Sequence, residues 1–120
     1  MQSLSVVLYQ NDPRTAQNLA SGLSQHFDSV YLVRSYEELS PAIGKRGADA
    51  VVLDLETSGP GEVARLHHEF PSLCIVGTHR LADDKLWAEA MSLGASDICE
   101  PRKDQLVRSL LNKRAHQAAA

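Results

Sequence analysis

Unbroken apolar runs alternate along the chain with stretches in which apolar residues recur every three or four positions. Leu4 to Tyr9, apolar but for Ser5, is the first run and predicts a strand. Asn11-Asp12-Pro13 then supplies a cap residue and a proline for the first helical position. Ala16, Leu19, Ala20, Leu23 and Phe27 repeat at helical spacing behind it. Val30 to Val33 predicts a short second strand. Ser35 with Glu38 is a capping-box pattern that opens a second helix, one that Pro41 is expected to disturb. Ala50 to Leu53 is continuous and apolar, the pattern of a strand covered on both faces. It stops at Asp54. Ser58-Gly59-Pro60-Gly61 is turn chemistry leading into a third helix with Val63, Leu66 and Phe70 on one stripe. Leu73 to Gly77 is a fourth strand, ending at Thr78. Asp83 to Leu93 reads as a fourth helix with Leu86, Trp87, Ala90 and Met91 inward, ended by Gly94. Asp97 to Cys99 is a short fifth strand, and Lys103 to about Arg114 a last helix carrying Leu106, Leu110 and Leu111.

Five strand–helix units joined right-handedly predict an α/β fold, a (βα)5 doubly wound parallel sheet with helices on both faces. Residues 1–116 are expected to form one domain, with a frayed tail at 117–120. In such sheets ligands bind at the carboxyl ends of the strands. Asp54, a carboxylate where a buried strand meets its loop, is therefore the first candidate for chemistry.

Composition narrows the classes. The 120 residues are 43% hydrophobic and 22% charged, an ordinary globular balance. A net charge of −3 with no basic run argues against nucleic acid as a partner. No apolar stretch is long enough for a membrane span, and the first residues lack a signal peptide's charged start and cleavage site, so the cytoplasm is the expected location. The two cysteines, Cys74 and Cys99, each lie in a strand-like apolar run and read as buried free thiols rather than a disulfide or metal pair.

The order of these motifs resembles the receiver domain of bacterial response regulators, over nearly the whole chain. The resemblance rests on Asp54 in VVLDLE, Thr78 in CIVGTH, Gly94-Ala95 before the fifth strand, Pro101 after it, and Asp12-Pro13 opening the first helix. It implies a flavodoxin-like, CheY-like strand order 2-1-3-4-5 and a non-enzymatic signalling module in a two-component phosphorelay. It also implies Asp54 as phosphoacceptor and Thr78 as a phosphoryl contact. The implied partners are a histidine kinase or a downstream regulator, docking on the face made by the fourth helix, fifth strand and fifth helix, about Asp83 to Arg114, which also serves for homodimers. An aspartate that accepts a phosphoryl group from an anionic donor needs Mg²⁺ to neutralise charge, and the family holds that ion with an acidic pair and the acceptor itself.

The sequence departs from that pattern. Gln10 and Asn11 stand where the acidic pair belongs, so the metal set reduces to Asp54, Asn11, Gln10 and Asp12, and Mg²⁺ is expected to bind weakly at best. Asp12 also suits a helix cap. Glu100 stands where the resemblance expects lysine; if the segment is one residue short, Pro101 fills that position and Lys103 is the nearest cation. A Glu100 carboxylate aimed at the site would oppose a phosphoryl group by about 4 kcal/mol at 4 Å and an effective dielectric near 20. Glu56 and Arg80 flank the entrance and suit an exposed ion pair, worth about 0–1 kcal/mol. His79 either narrows access to Asp54 or faces solvent. The resulting expectation is a pseudo-receiver, weakly phosphorylated or not at all; the alternative is a fully competent phosphorylated switch.

A different class is also in view. DLETSG resembles the DxE motif of DEDDh 3′–5′ exonucleases, and His79 to Asp84 resembles their HxxxxD motif. Spacing disfavours it: those motifs lie far apart in that family, the acidic motif that stands between them there is absent here, and a two-metal centre needs about four converging carboxylates.

Overall fold

The computed structural model describes the backbone of residues 2–119 and the side chains of residues 3–112; the tail expected at 117–120 lies outside the fully described part. Five strands, β1 (Gln2–Tyr9), β2 (Phe27–Leu32), β3 (Ala50–Asp54), β4 (Cys74–Thr78) and β5 (Asp97–Cys99), form one sheet in the order β2-β1-β3-β4-β5. Every pairing is parallel. The helices are α1 (Pro13–Ser24), α2 (Leu39–Arg46), α3 (Leu55–Ser58), α4 (Gly61–Glu69), α5 (Asp84–Ser92) and α6 (Lys103–Ala119). This is the doubly wound (βα)5 arrangement with strand order 2-1-3-4-5.

Alternation within the strands divides the core in two. Val7, Tyr9, Val51, Leu53 and Ile75 face one side and pack with Leu39, Ile43, Val63, Leu66 and Ala90 of α2, α4 and α5. Val6, Leu8, Ala50, Val52, Cys74 and Val76 face the other and pack with Leu19, Leu23, Leu106 and Leu110 of α1 and α6. Because helices cover both faces, the strands read as continuous apolar runs, and each fully buried aliphatic side chain contributes about 1.5–3 kcal/mol. Among the described residues no helix is long and apolar enough to cross a membrane.

Several local expectations change. Ser35 makes no side-chain cap bond; a 3₁₀ turn at Tyr36–Glu38 precedes α2 instead, and only Glu38 reaches back, accepting the Arg34 N–H at 2.6 Å. Pro41 does not disturb α2, because it is the third residue, where the missing N–H would have no intrahelical partner. The turn expected after Asp54 contains a helical turn of its own, α3, so the predicted fourth and fifth helices are α5 and α6. Trp87, expected inward, is exposed, while Ala90 of the same helix is fully buried. Both cysteines are free; Cys74 is buried and Cys99 half-buried. Burial pushes the Cys99 thiol up to about 11.

Gly77 is the tightest point under the site. A Cβ there would lie 2.5 Å from Leu55 Cδ1 and 3.0 Å from Ile98 Cδ1, so the absence of a side chain lets α3 settle onto β4. Gly77→Ala is expected to destabilise by about 1–3 kcal/mol through overpacking, read as a lower melting temperature by circular dichroism. Gly61→Ala, where a Cβ meets nothing within 4 Å, should instead stabilise by about 0.4–1 kcal/mol through the unfolded chain. Iodoacetamide should alkylate Cys99 only slowly at neutral pH in the folded protein, where little thiolate exists, and rapidly after unfolding, as intact mass would record.

Candidate functional site

The carboxyl ends of β1, β3 and β4 meet at a cleft of about 330 Å³ lined by Gln10, Asn11, Asp12, Thr15, Asp54, Glu56, Thr57, Arg80 and Pro101. Asp54 ends β3 directly opposite Thr78 of β4 in the parallel register. Its side chain is nearly buried, at 7% exposure. The two carboxylate oxygens each accept a backbone N–H, Oδ1 from Glu56 at 2.9 Å and Oδ2 from Asn11 at 3.0 Å. Asp54 is thus the N-cap of α3 and also a tether between the loops after β1 and β3. Its main-chain carbonyl accepts from Tyr36 Oη at 2.8 Å and from Ser58 Oγ at 3.0 Å.

Gln10 and Thr78 form the floor. Gln10 is buried after β1, and its Nε2 donates to Thr78 Oγ1 at 2.8 Å; the Thr78 hydroxyl in turn lies 3.5 Å from the Leu53 carbonyl. The hydroxyl expected to meet a phosphoryl group therefore already has a partner from the protein. Among the described residues no buried side-chain nitrogen or oxygen lacks a hydrogen-bond partner.

Arg80 and Glu56 close the mouth. Arg80 Nη2 and Nε donate to Glu56 Oε1 at 2.9 and 3.0 Å, Nε also reaches Oε2 at 3.1 Å, and the Arg80 backbone N–H donates to Oε2 at 3.2 Å. These bonds to Arg80 hold the Glu56 carboxyl below the usual carboxylate range. Asp12 is exposed and accepts both the hydroxyl and the N–H of Thr15, at 2.7 and 2.9 Å, which lowers its pKa; it is the cap of α1.

The remaining predicted site residues lie elsewhere. His79 Nδ1 accepts the Leu81 N–H at 3.0 Å, and the ring lines a neighbouring groove rather than the cleft. Glu100 lines that same groove, beside Gln105 and 3.7 Å from Arg102. Pro101, not Glu100, faces the cleft. Lys103 rests its stem on Gly22 of α1 and does not line the cleft. The exonuclease-like motifs are separated too: Asp54 and Glu56 share the cleft, whereas His79 and Asp84 line the groove.

This donor set fits a Mg²⁺ ion poorly. Mg²⁺ needs hard oxygens converging with charge. Glu56 is matched by Arg80, Asp12 caps α1 through Thr15, and Gln10 and Asn11 are neutral, which leaves the Asp54 carboxylate alone to supply the charge. Among the described residues no three His, Cys, Asp or Glu side chains are grouped to hold a metal ion.

Tyr9, Tyr36, Thr57 and Ser58 also belong to the site but carried no motif. The Tyr9 and Tyr36 rings lie 4.4 Å apart, and Tyr36 Oη contacts Thr57 Oγ1 as well as the Asp54 carbonyl. Burial raises both phenol pKa values, and the Asp54 charge adds to the rise. Only their position at the carboxyl edge of the sheet pointed to them.

No family model matches the chain, and no curated protein matches it. Solved structures do. The signal receiver domain of an HD domain-containing protein from Pseudomonas fluorescens is 22% identical, with a TM-score of 0.84 over 99% of this chain and 100% of that one. HP1043, an orphan response regulator of H. pylori, is 18% identical, with a TM-score of 0.79 over 92% and 96%. A DNA-binding response regulator of the LuxR family from Staphylococcus aureus is 11% identical, with a TM-score of 0.79 over 92% and 98%. With these likenesses spanning the whole sheet and its helices, the chain has the fold of a response-regulator receiver domain.

Proposed function

We propose that this chain is a receiver-like signalling module of a two-component pathway in the cytoplasm, read by a protein partner and not itself an enzyme. Asp54 is its candidate phosphoacceptor and Thr78 the candidate phosphoryl contact, within a site that takes a phosphoryl group weakly or not at all. The partner is a histidine kinase or downstream regulator on the face of α5, β5 and α6. The observation that carries this reading is the Gln10–Thr78 bond beneath a carboxylate already held by two backbone donors. Phosphoryl transfer to an aspartate depends on cationic charge around the moving group. Here the cation lining the cleft, Arg80, is committed to Glu56.

Small phosphodonors test the site without its kinase. Acetyl phosphate with Mg²⁺ is expected to leave the protein unmodified by intact mass under conditions that label a competent receiver. Gln10→Asp, Asn11→Asp and Pro101→Lys together should restore labelling, with Pro101 chosen because it faces the cleft, and Asp54→Ala should then abolish it. The three changes act on one charge cluster, so single reversions should do less than additivity suggests. Ready labelling of the unmodified chain at Asp54 would leave the fully competent switch as the correct reading.

Mg²⁺ is expected to bind on the order of millimolar or weaker, because neutral amides replace the acidic pair. The amide resonances of Asn11 and Glu56, whose N–H groups donate to Asp54, report this directly in a titration. Tight saturable shifts at both would show that the donors present suffice.

A further inference from the structure

β2 is an outermost strand, with β1 on one side and no strand on the other. The opposite edge, β5, has three residues, whereas β2 offers six. Long open edges pair with other strands unless a proline, a lysine or a bulge blunts them. Phe27–Leu32 reads FDSVYL and holds neither proline nor lysine. Its pairing with β1 is continuous from Ser5↔Ser29 to Leu8↔Leu32, so no bulge turns this stretch away. Nor is the strand fully covered: Asp28 and Tyr31 are exposed, and Ser29, Val30 and Leu32 are half-buried.

The open edge presents a definite set of groups. The Val33 N–H donates to the Leu8 carbonyl at 3.0 Å, so Val33 faces β1. Alternate residues of a parallel strand bond to the same neighbour, so the backbone groups of Ser29 and Tyr31 also face β1 and those of Asp28, Val30 and Leu32 face outward. Arg34 is next in that outward series, two residues beyond the strand, and Glu38 accepts its N–H at 2.6 Å, which closes the edge there. Val30 and Leu32 share one face of the strand and pack at the margin of the core half that α1 and α6 cover. Asp28 and Arg34 are exposed on either side of them, and neither is in an ion pair among the described residues.

We infer that β2 pairs antiparallel with β2 of a second copy of this chain, joining the two five-stranded sheets about a two-fold axis at Tyr31. With Tyr31 facing its counterpart, Val30 lies opposite Leu32 of the second copy and Leu32 opposite Val30. These residues carry outward N–H and C=O groups, so each pair exchanges two hydrogen bonds. Asp28 then lies opposite Arg34 of the second copy, and Arg34 opposite Asp28, so an anion meets a cation at each end of an apolar centre. Moving the axis to Val30 or to Leu32 keeps outward groups paired but sets Arg34 against His26 or against Val30. Charge therefore selects the register. Arg46, whose guanidinium carbon is 3.5 Å from the Tyr31 ring centroid, ties that ring to α2 and leaves the strand's edge open. Arg46 and Glu38 add one charge of each sign to the two already on this edge. The contact lies at the far end of the sheet from β5, so it leaves the face of α5, β5 and α6 free.

One edge strand is a small contact, so the dimer is expected to be transient. Sedimentation equilibrium of the full chain, from micromolar to millimolar concentration, reads it as a reversible monomer–dimer equilibrium that weakens as salt rises. Asp28→Arg alone and Arg34→Asp alone should each raise the dissociation constant about tenfold, since each sets like charges opposite one another at both ends of the pairing. An equimolar mixture of these two variants should recover the affinity of the unmodified chain, because every facing pair then has opposite signs. A fold defect produces no such complementation. Val30→Pro removes an outward N–H without breaking the β1 ladder and should abolish the dimer, with the thermal melt confirming that the fold persists.

A chain that stays monomeric at millimolar concentration would overturn the proposal. So would unchanged dimerisation in either charge variant, or a mixture of the two that fails to associate. A dimer that survives Val30→Pro and is lost in Trp87→Ala would assign the contact to the face of α5, β5 and α6 and overturn it as well. If Val30→Pro does not fold, the charge variants, both at exposed positions, decide alone.

Discussion

Everything in this structure depends on β3 being buried on both faces. Its five residues Ala50–Asp54 are all buried, alternating between the two halves of the core, and it pairs with β1 on one side and β4 on the other. A strand so enclosed has no freedom of register, since a one-residue slip would exchange the side chains facing the two helical layers. Its last residue is therefore delivered to one place. That residue is Asp54, and a carboxylate that is buried must be hydrogen-bonded or neutralised. Two backbone N–H groups satisfy it, one from each adjoining loop, so the central strand also fixes the loops that form the cleft.

The same logic extends outward in steps of decreasing burial. The Gln10–Thr78 bond is fully inside, where an unmade hydrogen bond is costly, so it defines the floor. The Glu56–Arg80 pair is at the mouth, with the Arg80 side chain 75% exposed, where an ion pair contributes about 0–1 kcal/mol. Its value is geometric rather than energetic. By taking both the guanidinium and the backbone N–H of Arg80, Glu56 ties the end of β3 to the loop after β4. Gly77 permits this closeness from below, because a side chain there would push Leu55, and with it α3, away from the sheet.

Much of this was legible in the sequence because it follows from periodicity. The apolar runs ending at Tyr9, Asp54 and Thr78 gave the three central strands, and Asp12-Pro13 gave a helix start whose cap bond is present. What was not legible depended on side-chain direction. Nothing in the spacing says that Glu100 turns toward Arg102 and Gln105, leaving Pro101 at the cleft, or that His79 bonds its own loop. Trp87 misled for a related reason. It falls on the apolar stripe of α5, but Ala90 and Met91 make the core contact there, because a short helix over a three-residue edge strand has little sheet to cover. α3 was hidden because Leu55–Ser58 is too short to show a period, and only the capping carboxylate of Asp54 marks its start.

A saturated site differs in kind from an empty one. A cleft with unpaired donors gains whenever a ligand supplies their partners, so its chemistry is driven by what it lacks. Here the deepest groups each have a partner and the cation at the mouth has its counter-charge, so a ligand competes with Glu56 for Arg80. The surface that does lack partners is one loop away, at Leu81 and Trp87. Arg80 belongs to both places. In such an arrangement the carboxyl-edge cleft also acts as an internal fastening, tying the end of β3 to the loop after β4 through Glu56 and Arg80.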